Sequence, residues 1–392
     1  MRILIFNVGS SSIKCQYFIS ELSVASILIE DVKNINSSKC TLWYANEKVV
    51  NMVSIGNYKN AIMETISMLM HSGVLPSIAS IDGIGHRVVH GGVEFSKPTI
   101  ITKRVIETIE SLIPLAPLHN EANLDGIKII HKHYPHIPQV AIFDTAFHQT
   151  IPYYAYLYAL PYEMYENLNI RRYGFHGTSH SYILKESMKF LDKRLEDINI
   201  ISLHLGSGAS VCAIKNGKSI DTSMGMTPLE GLIMGTRCGD IDPSIGYYLS
   251  KKRDMSIEDI DKKYNEESGL EGICGESNME NIIYNATQKG DRLCNIALDM
   301  FVYRVKKYIG SYAIALGRVD AIVFTGGMGE NSYVIREMIC EGLGGILGLY
   351  IDKDINSSIN IGSIAMEDSN IDILIIPTNE ELEMAREVVN TI

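Results

Sequence analysis

Residues 198–222 read INIISLHLGSGASVCAIKNGKSIDT, and residues 2–20 read RILIFNVGSSSIKCQYFIS. Each opens on a run of branched apolar residues, which predicts a buried strand. Each then breaks on a Gly/Ser cluster and leaves on a second strand. In the N-terminal copy Ile13, Cys15, Tyr17 and Ile19 fall on one face. In the later copy Asn216-Gly217 marks a two-residue hairpin turn into a third strand. The same arrangement at 2–19 and at 199–221 predicts a duplicated αβ domain.

Strands and helices alternate around these copies. YKNAIMETISMLMHSG (58–73) predicts a helix stopped at Gly73, and TKRVIETIESLIP (102–114) predicts another. IDGIGHRVVHGG (81–92) and QVAIFDTAFHQT (139–150) read as strands, the latter with an acid, Asp144, at its C-terminal end. Residues 291–317 predict a long helix with Leu293, Ile296, Ala297, Met300 and Phe301 in one stripe. VDAIVFTGGMGENSYVIREMI (319–339) reads as strand, Gly-rich turn and helix, and IDILIIPTNEELEMAREVV (371–389) as a strand leading into a final helix. Alternation of this kind predicts an α/β fold with helices on mixed sheets. The Tyr- and Pro-rich stretch at 151–180 reads as a crossover between two domains, 1–150 and 151–377.

Length and charge narrow the function. The chain has 392 residues, 46% hydrophobic and 21% charged, enough for two separate cores. A net charge of −11 argues against nucleic acid or an anionic membrane as the main partner, while leaving room for a local arginine cluster to hold a small anion. Cys15, Cys40, Cys212, Cys238, Cys274, Cys294 and Cys340 are odd in number and form no C-x-x-C pair, so neither a disulfide framework nor a zinc ribbon is indicated. The N-terminus shows no signal-peptide pattern, and no apolar run reaches the length of a membrane span. The expectation is a soluble cytoplasmic protein.

Three Gly-rich turns follow buried strands: NVGSSSIK (7–14), HLGSGAS (204–210) and TGGMGEN (325–331). None matches the Walker pattern. One alone reads as a hairpin corner. Three together favour a phosphate site in an interdomain cleft, because glycine lets backbone N–H groups approach an anion. Arg87, in the apolar strand of GHRVVHGG (85–92), reads either as a surface ion pair or as an anion anchor. Asp144 reads as a ligand-binding acid at a strand end or as an N-cap. Arg237, in GTRCGDIDP (235–243) with Asp240 and Asp242, reads as an oxyanion contact or a loop staple. His176 and His180 have zinc-compatible spacing, but a helix start at Gly177-Thr178 falls between them. With the late Asn379-Glu380-Glu381, this inventory is what phosphoryl transfer requires. A nucleophile elbow of the acyl-enzyme kind is absent from the sequence.

These motifs, with LAPLHN (115–120), RRYGFHGTSH (171–180), DTSMGMTPLEGL (221–232) and PTNEE (377–381), occur in one order along the whole chain. In this the sequence resembles the acetokinase family of acetate and propionate kinases. The resemblance implies a duplicated βββαβαβα fold of the ribonuclease H-like, actin-like ATPase group, with an active-site cleft between two domains. The C-terminal helix, about 378–392, would join the first domain. It implies a homodimer and reversible in-line transfer between ATP and a short-chain carboxylate. Asp144, Arg87, His176 and Arg237 would be catalytic. Arg87, Val89, Leu118, His119, Phe175 and Pro228 would surround the acid, with acetate preferred because Val89 crowds a longer chain and propionate as the alternative. Ser10, Ser12, Lys14, His204, Leu205, Gly206, Ser207, Gly208, Asn278, Met279, Glu280, Gly327, Met328, Gly329, Glu330 and Asn331 would meet the nucleotide. Asn7 and Glu380 would hold Mg²⁺, for which Mn²⁺ substitutes. Two departures stand out: Ser207 where the family usually has Asn, and Asn278-Met279-Glu280 where it usually reads Asp-Met-Arg.

Overall fold

The computed structural model describes the whole chain apart from the side chain of Leu118. It divides into two compact units, Met1–Gln149 with Asn379–Ile392, and Thr150–Thr378.

In the first unit β1 (Arg2–Val8), β2 (Ser12–Ile19) and β3 (Leu22–Glu30) form an antiparallel meander, extended by β4 (Ser38–Tyr44) and β5 (Glu47–Val53). On the other side of β1, β6 (Gly83–Val88) and β8 (Gln139–Phe143) run parallel to it, and β7 (Thr99–Ile100) closes the edge antiparallel to β8. The order among the described residues is β5-β4-β3-β2-β1-β6-β8-β7. The second unit contains β9 (Asn199–Leu205), β10 (Ala209–Lys215), β11 (Lys218–Thr222), β12 (Ala321–Thr325), β13 (Gly362–Ser363) and β14 (Asp372–Ile375), in the order β11-β10-β9-β12-β14-β13. Exchanging β9–β11 for β1–β3, β12 for β6 and β14 for β8 reproduces the first order with the same strand senses. The expected duplication is present, with β4 and β5 added to the first copy.

The last helix of each copy is built into the other unit. Beyond β8 and the short helices Tyr153–Tyr156 and Tyr162–Leu168, the helix Gly177–Phe190 packs on β9 and β12; after β14 comes Glu380–Thr391, which packs on β1, β6 and β8. Its Met384, Ala385 and Val388 are buried with Ile3, Ile5, Phe18, Val140 and Ile142. Burial of Met384 and Val388 stabilises this contact by roughly 1.5–3 kcal/mol each. The close approach depends on glycines in β6. A Cβ on Gly85 would stand 2.6 Å from Ile5 Cδ1 and 2.8 Å from Val388 Cγ2, and one on Gly83 2.8 Å from Ile392 Cδ1.

Three expectations need correction. Ile19 is exposed at the end of its strand, although β2 keeps its register with β1 as far as Arg2 opposite Ile19; Phe18 is buried on the opposite face, beneath the final helix. In the long helix, Arg292–Leu316, Leu293 and Met300 are exposed, and the buried stripe runs through Cys294, Ala297, Leu298, Phe301, Val302 and Val305. Apolar residues cover more than one side of this helix, and its packing on Met279–Lys289, Gly269–Cys274 and β10 selects the face. The Gly-rich stretch after β12 is not an open turn but a short helix, Gly326–Asn331.

Candidate active site

Strand register assembles the first cluster. Asn7 lies opposite Lys14 across β1 and β2, Ile5 beside Gly85, and Arg87 beside Ile142. Side chains two residues apart share a face. Asn7, Lys14 and Arg87 therefore fall on the face that the final helix covers. Asp144 continues β8 by donating its N–H to Val88 O at 3.0 Å. The final helix begins at Glu380 over these strand ends, capped by the Asn379 side chain, which accepts from Leu382 N–H.

The Arg87 guanidinium forks onto Asp144: Nε lies 3.0 and 3.1 Å from the two carboxylate oxygens and Nη2 2.7 Å from Oδ2. Asp144 is buried, so this is not a surface ion pair, and both its oxygens face Arg87 while the next helical turn starts at Ala146, so it does not serve as an N-cap. Burial alone would lower the Arg87 pKa, but Asp144, Glu380 and Glu381 reverse that and raise it above its ordinary value. Glu380 titrates higher than a usual carboxylate, first because it is buried and then because Asp144 and Glu381 repel its charge, with Arg87 and Lys14 opposing. Lys14 Nζ lies 2.5 Å from Glu381 Oε1. Ser10 and Ser12 lie at the hairpin corner, where Gly9 N–H donates to Ser12 O at 2.8 Å.

The loop after β6 is held by residues that motif reading passed over. Asn123 Oδ1 accepts from Val89 N–H and Asn120 Oδ1 from His90 N–H, both at 3.0 Å. Asn123 Nδ2 donates to Val8 O at 2.7 Å, and Gly91 N–H donates to Thr145 Oγ1 at 3.0 Å. Asn120, Asn123 and Thr145 are buried. The signal was two amides at i and i+3 early in the helix Pro117–His133, a polar pair on one face. His119 is exposed on the same helix and Val89 is half-buried. Leu118 lies outside the described residues.

In the second unit the helix Gly177–Phe190 begins at His176, a non-glycine residue held at φ 54°. Its Nδ1 lies 2.9 Å from Ser210 Oγ, and its ring stacks on His204 with centroids 4.3 Å apart. Ser179 Oγ joins His204 Nδ1 and Thr378 Oγ1, each at 2.8 Å. His180 engages Ser202 with one ring nitrogen and Ser210 with the other, both at 2.9 Å. That arrangement leaves His180 turned into a hydroxyl network rather than toward a metal shared with His176. Phe175 is buried.

Arg237 and His176 converge on the β9–β10 turn: a Cβ on Gly208 would stand 2.9 Å from Arg237 Nη2 and 3.4 Å from His176 Nε2. Arg237 Nη1 donates to Pro228 O at 2.7 Å. Burial lowers its pKa, and among the described residues no carboxylate pairs with it. The staple in this loop is Asp240 instead, which accepts from Gly231 N–H and Tyr308 O–H, each at 2.8 Å. A mostly buried cation without a counter-charge is costly unless an anion completes it.

A cavity of about 1080 Å³ opens beside the same turn, walled by Gly206, Ser207, Asn278, Met279, Glu280, Gly327, Met328 and Asn331 together with Ile283, Tyr284 and Tyr333. It is large enough for a nucleoside. Leu205 and Gly329 are buried in the backbone behind it. Glu330 departs from the expectation of a nucleotide contact: its Oε1 accepts from Gly326 N–H at 2.8 Å and Thr378 N–H at 3.0 Å, so its carboxylate ties chain segments together. Arg336, which the sequence reading missed, is fully buried and donates to Gly329 O, Glu330 O and Asn356, fixing the far end of the Gly-rich helix.

The Acetokinase family model matches residues 2–386. The chain is 52% identical to an acetate kinase of Sulfurovum sp. (strain NBC37-1), over 99% of this chain and 98% of that protein. The crystal structure of Porphyromonas gingivalis acetate kinase superposes with a TM-score of 0.94 at 40% identity, covering 99% of both chains. That of a propionate kinase from Francisella tularensis subsp. tularensis SCHU S4 gives 0.94 at 43% identity over 100% of both. These matches and the duplicated two-domain topology agree, and the chain belongs to the acetokinase family, whose kinases transfer phosphate to a carboxylate.

Proposed function

We propose that this chain is an acetate kinase, catalysing ATP + acetate ⇌ ADP + acetyl phosphate by direct in-line transfer. The observation that carries the reading is Arg237, a mostly buried guanidinium with no carboxylate partner among the described residues, beside His176 and the Gly206–Gly208 turn. In the forward reaction an acetate oxygen forms a bond to the γ-phosphorus. The bond from phosphorus to the β–γ bridging oxygen breaks, and its electron pair leaves with ADP. Acetate is already ionised near neutral pH, so no general base is needed. The obstacle is repulsion between two anions. Arg237 and His176 serve the transferring phosphoryl group. Arg87, oriented by Asp144 through Nε and Nη2, keeps Nη1 for the acid.

Asn7 and Glu380 are the residues proposed to hold Mg²⁺. The fit is supported by Glu380, whose carboxyl is raised by burial beside Asp144 and Glu381, a crowding of negative charge that a cation would relieve. One protein carboxylate suits Mg²⁺, which takes its other ligands from phosphate and water. When bound, the ion would neutralise charge on the phosphoryl oxygens.

Val89 supports acetate over longer acids, because its two γ-methyl groups narrow the space beside Arg87. One methylene is worth about 1–3 kcal/mol in an apolar pocket, so the preference is moderate. The similarity to a propionate kinase keeps propionate as the second reading. An acid panel of acetate, propionate and butyrate with ATP tests this; a higher kcat/KM for propionate overturns the choice of acid. We also assign a homodimer in the cytoplasm. Support for the dimer is the helix Ser244–Arg253, which buries none of its residues and exposes Tyr247 and Tyr248. Support for the location is the free state of the seven cysteines.

A further inference from the structure

We infer that Glu280 reads the ribose of the nucleotide and makes this kinase selective for ribonucleotides over 2′-deoxyribonucleotides. The inference rests on the kinase reading above and adds a specificity residue to it. Seven residues of the helix Met279–Lys289 line the cavity: Met279 and Asn281 at its start, and Glu280, Ile283, Tyr284, Thr287 and Gln288 along its length. The last five are spaced i, i+3, i+4, i+7 and i+8, which is one helix face over three turns.

The phosphate end of that face is fixed by contacts. Gly235 N–H donates to Ser207 O at 3.1 Å, and a Cβ on Gly235 would stand 3.6 Å from Ser277 Cβ. The start of the helix therefore lies against the Gly206–Ser207 turn. Moving along the helix from that turn, the cavity meets Glu280 in the first turn, Ile283 and Tyr284 in the second, and Thr287 and Gln288 in the third. Each turn advances about 5.4 Å. In a nucleotide the sugar lies between phosphate and base. The first-turn residue is thus level with the ribose, and the apolar second turn is level with the base.

Chemistry selects Glu280 from the polar groups at this end. Glu276 accepts from Ser277 N–H, Asn278 N–H and Asn281 Nδ2, and Asn278 Oδ1 accepts from Asn281 N–H. Those side chains are consumed in capping the helix. Glu280 makes no hydrogen bond or ion pair among the described residues, and it is the only charged residue among those lining the cavity. A carboxylate accepts and does not donate. The ribose diol offers it two O–H donors side by side, while a phosphate offers it only repulsion.

The test is steady-state kinetics with ATP, 2′-deoxy-ATP and GTP at saturating acetate, for the native chain, Glu280→Gln and Glu280→Ala. Hydrogen bonds to a charged group predict a native KM for 2′-deoxy-ATP roughly tenfold above that for ATP. In Glu280→Ala the two KM values converge, and Glu280→Gln lies between. Equal KM values in the native chain, or a ratio that survives in Glu280→Ala, overturn the inference. So does a native preference for GTP that Glu280→Ala abolishes, which would move the carboxylate to the base edge. If no acid is phosphorylated with any nucleotide, the kinase reading falls, and calorimetric binding of ATP against 2′-deoxy-ATP still decides the role of Glu280.

Discussion

Arg87 lies with its guanidinium forked on Asp144, whereas Arg237 is mostly buried, against the Pro228 carbonyl, with no carboxylate beside it among the described residues. The two arginines should therefore fail differently when removed. Arg237→Ala should lower kcat by about 10²–10³ with little change in melting temperature, because it removes the charge proposed to stabilise the transition state and leaves no buried carboxylate unpaired. Arg87→Ala should lower kcat as well, but it also leaves Asp144 buried and unpaired, at a cost of about 3–5 kcal/mol in stability. Lysine should rescue either one only partly, since an ammonium cannot reproduce the planar fork. Kinetics and thermal unfolding on the same variants check both halves; near-native turnover in Arg237→Ala removes it from the mechanism. His86 gives a prediction in pH. Burial holds its pKa down at about 4, against 6.5 for a free imidazole, while its bond to Gln139 opposes the shift. Between those values the unfolded chain binds a proton that the folded chain does not, so stability falls as pH drops from about 6.5 to 4. The loss is on the order of 3 kcal/mol. Urea titrations should show His86→Gln with a flatter pH dependence than the native chain over that window; identical slopes would show that His86 is not buried in the neutral form. At this scale the motif residues were legible because their chemistry is unusual in apolar strands. Arg336 was not legible, because nothing local distinguishes a buried arginine on a helix from an exposed one.

The final helix ties the element scale to the site. It reaches β6 closely only because Gly83 and Gly85 lack side chains, and its first residue is Glu380. Gly85→Ala would place a Cβ 2.6 Å from Ile5 Cδ1 and 2.8 Å from Val388 Cγ2. Overpacking of this kind costs about 1–3 kcal/mol. The predicted result is a lower melting temperature and a rise in the Mg²⁺ concentration needed for half-maximal rate, because the helix start that carries Glu380 must shift. A variant that loses stability with no change in Mg²⁺ requirement would detach this helix from metal binding. The pattern repeats in the second unit, where the exchanged helix Gly177–Phe190 starts at His176. Each copy of the fold thus receives a candidate site residue at the start of a helix from the other half of the sequence. Helix ends were readable from caps and glycines, as at Gly73. The buried face of Arg292–Leu316 was not, since its apolar residues cover more than one side and only packing partners choose among them.

At the scale of the molecule, the two Gly/Ser hairpins quoted at the outset proved to be equivalent corners of duplicated sheets, Gly9–Ser11 between β1 and β2 and Gly206–Gly208 between β9 and β10. The duplication was legible because strand, turn and strand are local in sequence. The exchange of the last helices was not local, and for the C-terminal helix only family resemblance foretold it. The central claim is that the chain moves the γ-phosphoryl group of ATP onto a carboxylate. Trapping with hydroxylamine tests it most directly, since an acyl phosphate is converted to a coloured hydroxamate and inorganic phosphate is not. With ATP and Mg²⁺ the account predicts acetohydroxamate formed in step with ADP, with propionate giving less and butyrate little. ADP and phosphate released with no hydroxamate from any of the three acids would contradict it, leaving an ATPase that lacks an acyl acceptor.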